Sequence, residues 1–132
     1  MPTAEQSPPP LRVLVVDADE RVCESLAGLI GIGRTCVVVG SASRIDEALA
    51  LVAAAAPDVL VIDPRLPDAD AGRRLIARVR ALAPATRVLA MGWSDSVDHD
   101  AVAMGADGFI RKTFLPRELV AAVLAAGRRP QD

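Results

Sequence analysis

Three side chains in this sequence could do chemistry together. Asp17 ends the apolar run "LRVLVVD", Asp63 ends "VLVID", and Lys112 ends "GFIRK". Two carboxylates held close repel, so a cation is wanted between them. Lys112 supplies one positive charge. A divalent ion with oxygen ligands, Mg²⁺ above all, could supply more. An aspartate beside such cations can also act as a nucleophile toward phosphorus and form an acyl phosphate. The cations would then neutralise charge developing on the phosphoryl oxygens. Asp19 follows Asp17 after only Ala18, which leaves three readings of "DAD": a metal site, a catalytic aspartate pair, or one functional aspartate beside a helix cap. Asp19 stands just before the apolar period that begins at Val22, so the cap reading is preferred for it.

These residues must be positioned by the elements between them. Short branched runs recur at Val13–Val16, Cys36–Val39, Val59–Ile62, Val88–Met91 and Gly108–Ile110. Segments of helical spacing separate them. Val22, Leu26, Leu29 and Ile30 share one face, and Ile45, Ala48, Leu49 and Val52 another. Leu75, Ile76, Val79 and Leu82 make a third stripe. Leu119, Val120, Val123 and Leu124 make a fourth, and a weaker helix fits Ser96–Met104. Ser43 and Asp46 read as a capping box. Pro84 stops the third helix, Pro116 suits the first turn of the last, and Gly127 its end. The order is (βα) five times, with nearly continuous apolar strands. That predicts an α/β domain, a doubly wound five-stranded parallel sheet covered on both faces. Ligands of such sheets bind beyond the carboxyl ends of the strands, where Asp17, Asp63 and Lys112 all fall.

Composition narrows the function. The chain has 132 residues, enough for one domain, with 52% hydrophobic and only 2% aromatic residues. Few aromatics disfavour a base-stacking surface. A net charge of −2 disfavours a general phosphate-backbone binder, so no nucleic-acid partner is expected. Cys23 and Cys36 are read as buried thiols of a reducing compartment. No secretory signal or membrane span is evident, and a cytoplasmic protein is expected. Residues 1–10 are read as a flexible proline-rich tail, 11–127 as the domain, and 128–132 as a C-terminal tail. His99 is read as part of a solvated helix end. Gly31-Ile32-Gly33 follows a helix and is no dinucleotide loop. Arg73, Arg74, Arg78 and Arg80 are read as a solvated basic face.

The segments "VLVVDADERV", "PDVLVIDPRLPDADAG" and "GADGFIRK" resemble, in order and spacing, the three signature segments of response-regulator receiver domains of the CheY-like superfamily. The resemblance covers residues 11–127 and implies the flavodoxin-like receiver fold. By it, Asp63 matches the phosphoacceptor and Lys112 the lysine that contacts the phosphoryl group. Asp17 matches the first of the paired acids that hold Mg²⁺, and Arg65 the position whose backbone carbonyl binds that metal. Pro67 and Gly72 match the loop after the phosphorylation site, and Phe109 the aromatic switch position. Four positions depart from the pattern. Ala18 replaces the second acid, which predicts weak or absent Mg²⁺ binding. Gly92 replaces the Ser or Thr that senses the phosphoryl group. Trp93 replaces a small neighbour, and Thr113 a common proline.

The resemblance implies an atypical single-domain receiver in a phosphorelay, not an enzyme, with a sensor histidine kinase as phosphodonor. Only "RRPQD" follows Gly127, so output is expected through protein contacts or a homodimer. The face expected to make them spans residues 96–127: the fourth helical segment, the fifth strand and the last helix. A phosphorylation-independent pseudo-receiver is the alternative. A distant third is an aspartate-nucleophile phosphohydrolase, because Asp17-Ala18-Asp19 also resembles the D-x-D start of haloacid-dehalogenase enzymes.

Overall fold

The computed structural model describes residues 8–66, 68–93 and 105–128. Five strands, β1 (Leu11–Val16), β2 (Cys36–Ala42), β3 (Val59–Ile62), β4 (Arg87–Gly92) and β5 (Gly108–Arg111), form one sheet. All pairings are parallel, in the order β2-β1-β3-β4-β5. Four helices are present among the described residues: α1 (Glu20–Gly31), α2 (Ile45–Ala55), α3 (Ala69–Leu82) and α4 (Pro116–Gly127). The expected five-stranded, doubly wound α/β sheet is therefore what forms.

Successive side chains of a strand point to opposite faces, so each strand feeds two cores. Val13, Val15, Val59 and Val61 pack with Cys23, Leu26 and Ile30 of α1 and Leu119 and Val123 of α4. Leu14, Val16, Leu60 and Ile62 pack with Ala48 and Val52 of α2 and Leu75, Ile76 and Val79 of α3. Val13–Val16 of β1 and all of β3 are buried on both faces, which is why these stretches read as unbroken apolar runs rather than alternating ones.

Some local expectations fail. Ser43 does not cap α2; the cap position is Arg44, which makes no side-chain capping bond. The Ser43 hydroxyl instead lies 3.5 Å from Glu20 Oε1. Leu82, the last residue of α3, leaves the third stripe and is 51% exposed. Gly72 lies within α3, not in the preceding loop. Arg80 does not belong to a solvated face. It reaches Asp107 at 2.8 Å and the Gly105 carbonyl, tying α3 to the start of β5. Arg73, Arg74 and Arg78 are exposed as expected. The helix expected over 96–104, together with His99 and Pro67, lies outside the described residues.

Candidate functional site

The strand order reverses direction at β1 and β3, the place where open α/β sheets bind ligands. Asp17 and Asp63 are the first residues beyond these two strands. The ladder carries them: Asp17 N–H donates to the Ala42 carbonyl at 3.1 Å, and Asp63 N–H to the Val16 carbonyl at 3.0 Å. Lys112 is the first residue beyond β5, its N–H bonded to the Gly92 carbonyl at 2.8 Å. Two strand spacings, about 10 Å, separate β3 from β5. The lysine spans β4, whose last residue, Gly92, offers no side chain in the way.

The result is one buried ionic cluster. Lys112 Nζ stands 2.6 Å from Asp17 Oδ2 and 2.8 Å from Asp63 Oδ2. The lysine side chain is 3% exposed, Asp17 5% and Asp63 15%, so Asp63 is the member that faces solvent most. Each carboxylate spends its other oxygen on its own loop. Asp17 Oδ1 accepts the Asp19 N–H at 3.0 Å, and Asp63 Oδ1 accepts the Arg65 N–H at 3.0 Å. Burial alone would pull the Lys112 ammonium's pKa down. Its hydrogen bonds to Asp17 and Asp63, and their charges, outweigh that and leave it raised. One lysine thus faces two carboxylates.

The remaining candidates separate cleanly. Asp19 is not in the cluster; its Oδ1 accepts the Arg21 N–H at 2.9 Å as the N-cap of α1. That removes the second acid of a D-x-D pair from the reacting centre. Ala18 is exposed, and Gly92 is buried at the end of β4. Arg65 is exposed beside Asp63. Phe109 is half-buried on β5, paired with Ala90. Cys23 is buried behind the site, its thiol within 3.4 Å of the Asp17 carbonyl, and burial pushes that thiol's pKa up.

A divalent cation finds a partial fit here. Asp17 Oδ2 is buried, and the Lys112 ammonium at 2.6 Å is its partner among the described residues. Two converging carboxylates suit an ion that keeps most of its water. Yet among the described residues no three His, Cys, Asp or Glu side chains group as a metal site. An acid at Ala18 would be the natural third.

Two features escaped the sequence reading. The Trp93 ring covers Lys112, with Nζ 4.9 Å from its centroid, and Phe114 packs on Trp93 at 6.1 Å between centroids. Lys112 is also the chain's only lysine among fifteen basic residues. That singularity was a visible signal. Arginine is always charged and forks into bidentate bonds, whereas a compact ammonium fits between two carboxylates as a point charge.

Comparison with known proteins agrees with this geometry. The family described as response regulator receiver domain matches residues 13–124. The DNA-binding transcriptional activator DevR/DosR of Mycobacterium tuberculosis is 38% identical over 126 residues, covering 92% of this chain and 58% of that protein. The DNA-binding response regulator MtrA of Mycolicibacterium smegmatis is 35% identical over 123 residues, covering 92% and 52%. The chain thus spans little more than half the length of these curated relatives. The signal receiver domain of NarL from Mycobacterium tuberculosis superposes with a TM-score of 0.81 at 33% identity, covering 92% of this chain and 98% of that one. With a buried Asp17–Lys112–Asp63 cluster at the switch point of a 2-1-3-4-5 sheet, the chain belongs to the response regulator receiver domains of two-component signal transduction.

Proposed function

We propose that this receiver accepts a phosphoryl group on Asp63 from the phosphohistidine of a sensor histidine kinase, and that Ala18 and Gly92 make it an atypical switch. The observation that carries the reading is the Lys112 ammonium, 2.8 Å from Asp63 Oδ2, on the most open carboxylate of the cluster. An Asp63 oxygen attacks phosphorus, the P–N bond to the imidazole breaks, and the acyl phosphate remains. Lys112 then faces the added phosphoryl charge. Mg²⁺, held by Asp17, Asp63 and the Arg65 carbonyl, would supply further charge neutralisation. Without an acid at position 18 that ion is held weakly. Output runs through protein contacts on the side of β5 and α4, where Phe114 and Leu115 are 44% and 59% exposed.

The departures at Ala18 and Gly92 favour a second reading, a pseudo-receiver that binds its partner without phosphorylation. A glycine has no hydroxyl to couple the phosphoryl group to β4, and a ligand shifts a conformation only through differential contacts. Intact-mass analysis with acetyl phosphate and Mg²⁺ separates the two. The first reading expects a slow, partial gain of about 80 Da, one phosphoryl group, abolished by Asp63→Asn. No adduct in either the wild type or Ala18→Asp establishes the pseudo-receiver instead.

A further inference from the structure

We infer that Trp93 is a positioning residue for Lys112: its ring face holds the ammonium on Asp17 and Asp63, in a site whose strand-4 end carries no side chain to do so. The argument starts from the lysine's surroundings. Lys112 Nζ has carboxylate oxygens on its inner side at 2.6 and 2.8 Å. On another side it has the Trp93 ring, 4.9 Å from the centroid. A cation within about 6 Å of an indole centroid is attracted by the ring's quadrupole, and Trp is the strongest of the aromatic partners. The lysine side chain is only 3% exposed, the least of the three members of the cluster.

Trp93 is itself held. Phe114 packs against it in a tilted arrangement, at an interplanar angle of 39°. The loop that carries Phe114 is pinned by Thr113, whose hydroxyl oxygen accepts the Leu115 N–H at 3.1 Å and lies 3.3 Å from Glu118 Oε2. The ring therefore has a support independent of the ionic cluster. Its own exposure is 60%, far above that of the lysine it covers. One face of the indole meets the ammonium while much of the ring meets solvent. Given the phosphoacceptor reading of Asp63, any movement of Lys112 toward an added phosphoryl group would thus be felt at the protein surface through this ring.

The test uses the lysine's singularity and needs no phosphate, so it stands or falls apart from the reading of Asp63. An N-hydroxysuccinimide acetate ester acylates only neutral amines, and this chain has two amines, the α-amine and Lys112. The α-amine serves as the internal standard, and peptide mass analysis gives the rate at each. Wild-type Lys112 should react slowly. Trp93→Phe should retain the protection, because a π face remains. Trp93→Leu keeps apolar cover without a π face, and should speed Lys112 acylation about two- to fivefold relative to the α-amine. Trp93 is 60% exposed, so both variants should keep thermal midpoints near that of the wild type, which is measured alongside. The inference is overturned if Trp93→Leu protects Lys112 as well as Trp93→Phe does, or if neither substitution changes the rate.

Discussion

Gly72 of α3 backs directly onto the carbonyl of Pro64, the residue after Asp63. A Cβ at Gly72 would lie 1.5 Å from the Pro64 oxygen and 2.5 Å from its carbon. The helix and the Asp63 loop approach so closely that only a hydrogen fits between them.

Gly72→Ala should therefore push α3 and the 63–65 loop apart. Better helix propensity in alanine cannot offset a clash with backbone, since overpacking typically costs about 1–3 kcal/mol. This contact should reach the upper end of that range. Urea unfolding should show the loss, and the displaced Asp63 should react more slowly with acetyl phosphate. Unchanged stability would mean that the loop yields freely.

Alkaline pH should weaken the fold in two stages. Cys23 and Cys36 are buried thiols whose pKa values are raised from 9.0, chiefly by desolvation. They stay protonated when folded, while the unfolded thiols ionise. Stability should fall as pH climbs above 9.0. Lys112 is raised above 10.5 because its carboxylate partners outweigh burial, so its contribution is fully present below 10.5 and is lost as pH rises through the folded value. The chain has no tyrosine to blur this window. From neutral pH up to 10.5, where the carboxylates are ionised, denaturation midpoints of wild type and Lys112→Met should differ by a constant amount, and the difference should shrink above 10.5. A gap that stays constant at every pH would refute the ion-pair account.

Ala18→Asp should place a third carboxylate beside Asp17 and Asp63. Without metal, like charges should cost stability, about 1 kcal/mol at an exposed position. With Mg²⁺ the variant should recover and bind the ion at least about tenfold more tightly than wild type. Trp93 is the only tryptophan and lies against Lys112, so its emission reads the titration directly. Equal affinities would mean that water already fills the ligand position that Ala18 vacates.

Much of the architecture was written in local pattern. Apolar runs ending at Val16 and Ile62 announced strands buried on both faces, and strand ends located Asp17, Asp63 and Lys112 before any geometry was known. Asp19 was readable as a cap because capping is decided within three residues of chain. The failures were also local readings, at places where distant contacts decide. Ser43 looked like a capping residue but lies toward Glu20 of α1. Arg80 looked solvated, yet it reaches Asp107 from twenty-seven positions away.

Sequence alone thus determined the order of the described elements, the two-faced sheet and the identity of the three charged residues, because periodicity and propensity act along the chain. Only the tertiary structure decided how they meet. Parallel crossovers bring β1, β3 and β5 to one edge, and one lysine spans β4 to two acids. Close packing presses Gly72 against Pro64 and lays the Trp93 ring over that lysine. Such relationships depend on through-space distances between residues far apart in the chain, and no periodicity records them.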